Sequence, residues 1–138
     1  MYAMDSCWWQ VYGQDVQNNF KGDKYTYTDG VKQARRARLP RVYNSGAGAI
    51  LLAQELGAAE VVLLGYDGGK SNGKAHWHKD HPNGLGNAGV SDKWPEQFNQ
   101  LRALLKVPVV NCSRTTAITA FRRNSLEDTL WQTRFSES

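Results

Sequence analysis

The sequence predicts an α/β sandwich around a mostly parallel sheet, and three observations carry that prediction. Glu60-Val61-Val62-Leu63-Leu64 is a continuous apolar run closed by Gly65, the pattern of a strand buried on both faces. Just before it, Ala49 to Leu56 places Ile50, Leu51, Ala53 and Leu56 as a helical stripe, with Gly57 as a natural stop. The elements then read strand-helix-strand-loop-helix-strand, an alternation whose right-handed crossovers fix the hand of the fold.

Taken in chain order, Tyr2-Ala3-Met4-Asp5 reads as a short strand ending in an acid. Trp8, Trp9, Val11 and Tyr12 follow as a dense apolar patch suited to a short helix on a sheet. A domain that opens mid-strand has the look of the remainder of a longer one. Lys24 to Thr28 alternates like a brief strand, and Arg41 to Asn44 reads as another. Ser45-Gly46-Ala47-Gly48 is then a tight turn before the helix. Residues 65 to 92 lack apolar periodicity, which marks a long polar loop, either functional or mobile. Ser91 or Asp92 caps a helix to about Lys106, with Trp94, Phe98, Leu101 and Leu105 on its inner face and Pro95 at a tolerated early position. Val107 to Asn111 is the next strand. Ser125 with Asp128 approximates a capping box for a last helix through Trp131.

Composition narrows the function. The 138 residues suit a single domain, and 17 Lys plus Arg against 13 Asp plus Glu leave a net charge of +4. That is far from the basic load of a protein gripping nucleic acid. Lys32, Arg35, Arg36, Arg38 and Arg41 form the strongest basic run, without interleaved aromatics, and read as a solvated face. No run approaches the roughly twenty apolar residues of a membrane span, and no basic-then-apolar leader opens the chain. Cys7 and Cys112 read as free thiols of a cytoplasmic protein.

Four segments can carry chemistry. Ser45 and Gly46 stand at a helix start, where backbone N–H groups can cradle a phosphate, although neither a dinucleotide fingerprint nor a P-loop is present. Asp67 lies past the carboxyl end of a strand, where open α/β sheets bind ligands and an acid can accept from a sugar hydroxyl. His76, His78 and His81 fall within six positions beside Trp77, Lys79, Asp80 and Pro82. One histidine can be a general base; alternatively two or three, with Asp67 or Asp80, hold a metal, and the pattern does not decide between them. Asn111, Ser113, Arg114 and Thr115 put an amide, hydroxyls and a cation at the same edge, suited to a phosphate or carboxylate. For each segment the plainer alternative is a turn, a cap or a polar surface loop. Of the tryptophans, Trp77 alone stands out as a pocket wall.

The residues also resemble a known group. Asn44-Ser45-Gly46-Ala47-Gly48-Ala49, Leu56-Gly57-Ala58-Ala59-Glu60-Val61 and Gly65-Tyr66-Asp67 are similar to the central block of bacterial sialyltransferase-like glycosyltransferases and of motility-associated glycosyltransferase-like proteins. A related group of phage and prophage proteins of unknown function adds Met4-Asp5, Trp8-Trp9, Gly73-Lys74, His76-Trp77-His78, Asp80-His81-Pro82 and Val110-Asn111 before Ser113 in the same order. The resemblance implies a Rossmann-like three-layer sandwich with a mostly parallel sheet, incomplete at the N-terminus because the family's nucleotide loop would precede Met1. It implies a nucleotide-sugar donor, a hydroxyl acceptor and a bacterial host cytoplasm. His81 would be the base, with His76 and His78 beside it. Ser45 and Gly46 would lie near the nucleotide, and Asn111, Ser113 and Thr115 in the segment that receives the donor. No resident cofactor or metal is expected from it. With that loop missing, the expected activity of the isolated chain is weak or absent. Two other classes compete: a non-catalytic phage accessory domain, dimeric to cover a sheet edge, and a metal-dependent hydrolase or nuclease built on the histidines.

Overall fold

The described residues form two small parallel sheets and four α-helices. The computed structural model describes residues 1–69, 85 and 91–135. Among these, β1 (Tyr2–Ala3) leads into α1 (Ser6–Asn19), followed by β2 (Tyr25–Thr26) and β3 (Arg35–Arg36). Next come α2 (Ser45–Glu55), β4 (Val61–Leu63), α3 (Trp94–Leu101), β5 (Val109–Asn111), β6 (Arg122–Arg123) and α4 (Leu126–Phe135). One sheet runs β1-β2-β3 and the other β4-β5-β6, with every pairing parallel. Register in the second sheet sets Leu63 opposite Asn111 and Asn111 opposite Arg123, so three carboxyl ends lie side by side.

The main core forms where α2 and α3 meet the second sheet. Ile50, Leu51, Leu63, Phe98, Leu101 and Ile118 are buried there. Burial of each such side chain contributes about 1.5–3 kcal/mol. A smaller cluster of Ala3, Trp9 and Val16 seats α1, and Trp9 Nε1 donates to Ala3 O at 3.0 Å. Thr28 Oγ1 donates to Met4 O at 2.6 Å, which fixes the chain just past β1.

Several boundaries differ from the sequence reading, each for a physical reason. Residues 41–44 are not a strand. Val42 enters the core, and Asn44 is spent as the N-cap of α2, its Oδ1 accepting from Ala47 N at 2.8 Å. Ser45-Gly46-Ala47-Gly48 is therefore the first turn of the helix rather than a loop before it. The helix after Trp8-Trp9 is not short: α1 has 14 residues, its polar far side being solvated. A 3₁₀ turn over Ser91–Lys93 precedes α3, and another over Arg102–Leu104 ends it before Lys106. Ser125 does cap α4, Asp128 N donating to Ser125 Oγ at 3.0 Å. Strands β3 and β6 are both Arg-Arg pairs with exposed side chains, so no apolar pattern announces them. Lys32, Arg35, Arg36, Arg38 and Arg41 are all exposed, as a solvated face requires.

Cys7 and Cys112 are free thiols, the first exposed and the second buried. Among the described residues no helix is long and apolar enough to cross a membrane.

Candidate functional site

The carboxyl ends of β1 and β4 open on the same side as the start of α2. They enclose a cleft of about 560 Å³. Its walls include Asp5, Ser45, Gly46 and Asp67, with the rings of Trp8 and Trp94. The strand ends dictate this: chain direction reverses there, so the loops from parallel strands gather at one edge.

Tyr66 ties the two sides of the cleft together. Its hydroxyl donates to Gly46 O at 3.2 Å, and its ring meets Phe98 edge-on at 5.9 Å. Burial pushes the Tyr66 phenol up from its ordinary pKa, so it remains a neutral donor. Gly46 permits this approach, because a Cβ there would stand 3.1 Å from Tyr66 Cε1 and 3.3 Å from Asn44 Oδ1. Asn44 also donates through Nδ2 to Gln97 Oε1 at 2.8 Å, which locks the start of α2 to α3. The amides of Ser45 and Gly46, in the first turn of α2, have no partner among the described residues and are orphan donors at a helix N-terminus.

The loop after β4 is held from beneath by β5. Asn111 is fully buried. Its Nδ2 donates to Thr116 Oγ1 at 3.2 Å and to Tyr66 O at 3.4 Å, while its Oδ1 accepts from Ser113 N at 3.0 Å. Thr116 Oγ1 donates to Tyr66 O at 2.7 Å, and Tyr66 N donates to Ser113 Oγ at 2.8 Å. Ala117 N donates to Asp67 O at 2.7 Å. Gly68 follows with φ +66°, and a Cβ on it would overlap Ile118. The Asp67 carboxylate stays exposed on this braced loop.

A second recess, of about 820 Å³, adjoins the first across Gly65 and Asp67. Ser113, Arg114, Thr115, Arg123 and Ser125 line it. Arg123 Nη2 donates to Ser113 O and to Arg114 O, both at 2.9 Å.

The structure thus gathers Ser45, Gly46 and Asp67 on one cleft and places Ser113 and Thr115 on its neighbour. Asn111 lines neither; its side chain is consumed in bracing the loop. His76, His78 and His81, with Trp77 and Asp80, lie outside the described residues. So does most of the loop expected over 65–92. Among the described residues no group of three His, Cys, Asp or Glu side chains stands together as a metal site.

Sequence reasoning missed Asp5, Trp8 and Trp94 as cleft residues. The rule that singled out Asp67, an acid just past a strand, applies equally to Asp5. Both tryptophans read as core because an apolar stripe does not show which ring stands at its wet end. Arg123 was missed because β6 carries no pattern.

Comparison with known protein families, with curated proteins and with solved structures finds no match.

Proposed function

We propose that this chain is a glycosyltransferase-like protein of the phage or prophage kind, with a Rossmann-like arrangement of its sheets, that binds a nucleotide-activated sugar and transfers it to a hydroxyl acceptor. The observation that supports it is the convergence of the Ser45 and Gly46 amides with the Asp5 and Asp67 carboxylates on one cleft at the carboxyl edge. Such a cleft suits a hydroxyl-rich ligand. Carboxylates accept from sugar or ribose hydroxyls, orphan amides donate to ligand oxygens, and aromatic rings cover the apolar faces of sugar and base.

In this reading the acceptor oxygen attacks the anomeric carbon while the bond from that carbon to the donor phosphate oxygen breaks. The acceptor proton passes to His81, the base that the family resemblance implies, and the nucleotide leaves with the bonding electrons. Proton removal by a placed histidine contributes about 10²–10⁴-fold in rate.

The test is a transfer assay with cytidine-monophosphate-activated sialic acid, paired with a binding titration of the same donor. Saturable binding weakened by Asp67→Asn, with slow transfer abolished by His81→Ala, supports the proposal. Absence of saturable binding at millimolar donor contradicts it. Binding without transfer leaves a nucleotide-sugar-binding domain and removes the enzymatic half.

A further inference from the structure

Among the described residues, the aromatic cleft offers no cation for the phosphate of a nucleotide-sugar ligand. Among its described lining residues are two carboxylates, Asp5 and Asp67, and no Lys or Arg. From the described residues, a phosphate there would meet like charge and no counter-cation. The recess on the other side of Gly65 and Asp67 carries cations as well as carboxylates. It is lined by Arg114 and Arg123, with the hydroxyls of Thr115 and Ser125.

Arg123 is already fixed in position. Its Nη2 is committed to Ser113 O and Arg114 O, which leaves Nε and Nη1 without a partner among the described residues. A guanidinium presents five N–H donors in a rigid fork, so this one keeps donors for an anion at little further ordering cost. The Arg114 side chain is exposed and has no partner among the described residues. Asp67 and Glu127 also line the recess. Neither approaches within 4.0 Å of either guanidinium, since the ion pair found among the described residues is Arg36 with Asp29. Two arginines with no carboxylate partner among the described residues therefore share one recess with hydroxyl donors.

We propose that this recess is the phosphoryl-binding subsite: Arg114 and Arg123 hold the phosphate of a ligand whose hydroxyl-bearing part occupies the aromatic cleft. The proposal rests on the nucleotide-sugar reading above and divides that ligand between two adjoining recesses. The phosphate sits over Gly65, so its charge is met by the arginines while the Asp67 carboxylate faces hydroxyls.

Calorimetric titration of cytidine monophosphate, cytidine and inorganic pyrophosphate tests it, on the full chain and on the variants Arg114→Gln and Arg123→Lys. The Arg114 side chain makes no hydrogen bond or ion pair among the described residues, and the carbonyl that accepts from Arg123 is kept in Arg114→Gln, so this variant retains the fold, which a thermal melt checks. Arg123→Lys keeps the charge but loses the fork. The expected result is about a tenfold weaker binding of both phosphate-bearing probes in each variant, as for a lost charge-assisted hydrogen bond, with cytidine changed less than twofold. Phosphate binding should also weaken as salt rises. Monophosphate binding no tighter than cytidine, or unchanged by both substitutions, overturns the subsite and leaves the aromatic cleft standing. Pyrophosphate bound through the arginines while cytidine fails to bind supports the subsite and contradicts the nucleoside part of the reading. Failure of pyrophosphate to bind the unsubstituted chain overturns the subsite directly.

Discussion

Replacing Gly68 with alanine tests whether the loop that presents Asp67 is built as described. Gly68 sits at φ +66°, a left-handed conformation that costs an L-residue about 1–2 kcal/mol. An added Cβ would also overlap Ile118 Cγ1 and stand 2.9 Å from its Cδ1. Ile118 is only 1% exposed, so it has no open space to move into. Overpacking of this kind costs about 1–3 kcal/mol. The two effects together place Gly68→Ala about 2–5 kcal/mol below the parent. Gly57 provides the control: its φ is +89°, and a Cβ there meets nothing within 4 Å. Gly57→Ala should therefore cost only the backbone part, about 1–2 kcal/mol. Urea unfolding followed by tryptophan fluorescence reads both, with the slope held constant and the midpoint shifted. Equal midpoints for the two variants would refute the packing of Ile118 beneath Gly68, and with it the placement of Asp67.

Asn44→Ala removes the acceptor for Ala47 N and the link to Gln97, and should lower stability by about 0.5–2 kcal/mol in the same urea assay. Asn111→Leu strips Ser113 N of its acceptor inside the protein, so a loss of about 1–3 kcal/mol is expected together with weaker donor binding. An Asn111→Leu chain of parental stability would mean that the brace under the loop is dispensable. The buried Tyr2 hydroxyl has no hydrogen-bond partner among the described residues, and burial, with Asp5 and Tyr27 adding to it, pushes its pKa up to about 12. The unfolded chain ionises this group near 10.0, so its contribution is fully present below pH 10 and is lost as pH rises from 10 toward 12. Unfolding midpoints measured from pH 8 to 12 should fall less steeply at the alkaline end in Tyr2→Phe than in the parent.

The strongest elements were legible because their patterns have one structural solution. The apolar run through Val61, Val62 and Leu63 and the stripe of Ile50 and Leu51 gave β4 and α2, and the rule for strand ends pointed to Asp67. Arg41 to Asn44 read as a strand followed by a turn, but Asn44 caps the helix that begins at Ser45, and its contact with Gln97 holds it there. Strands of two arginines carry no periodicity, so β3, β6 and the role of Arg123 needed coordinates. Asn111 and Ser113 looked like ligand groups because their chemistry suits that task. In the fold Asn111 is spent on the loop behind Asp67, and Ser113 divides between that loop and the rim of the second recess. The parallel pairing of β5 with β6 could not be read either, because no helix intervenes between them among residues 112–121.

The central claim is that the ligand lies across the start of α2 and the loop carrying Asp67. A crystal structure of the chain with a cytidine-monophosphate sugar tests it most directly. The account predicts ligand oxygens within hydrogen-bond distance of the Ser45 or Gly46 amide and of the Asp67 carboxylate in the same complex. Ligand bound at another face, with the Ser45–Asp67 cleft unvisited, would contradict it.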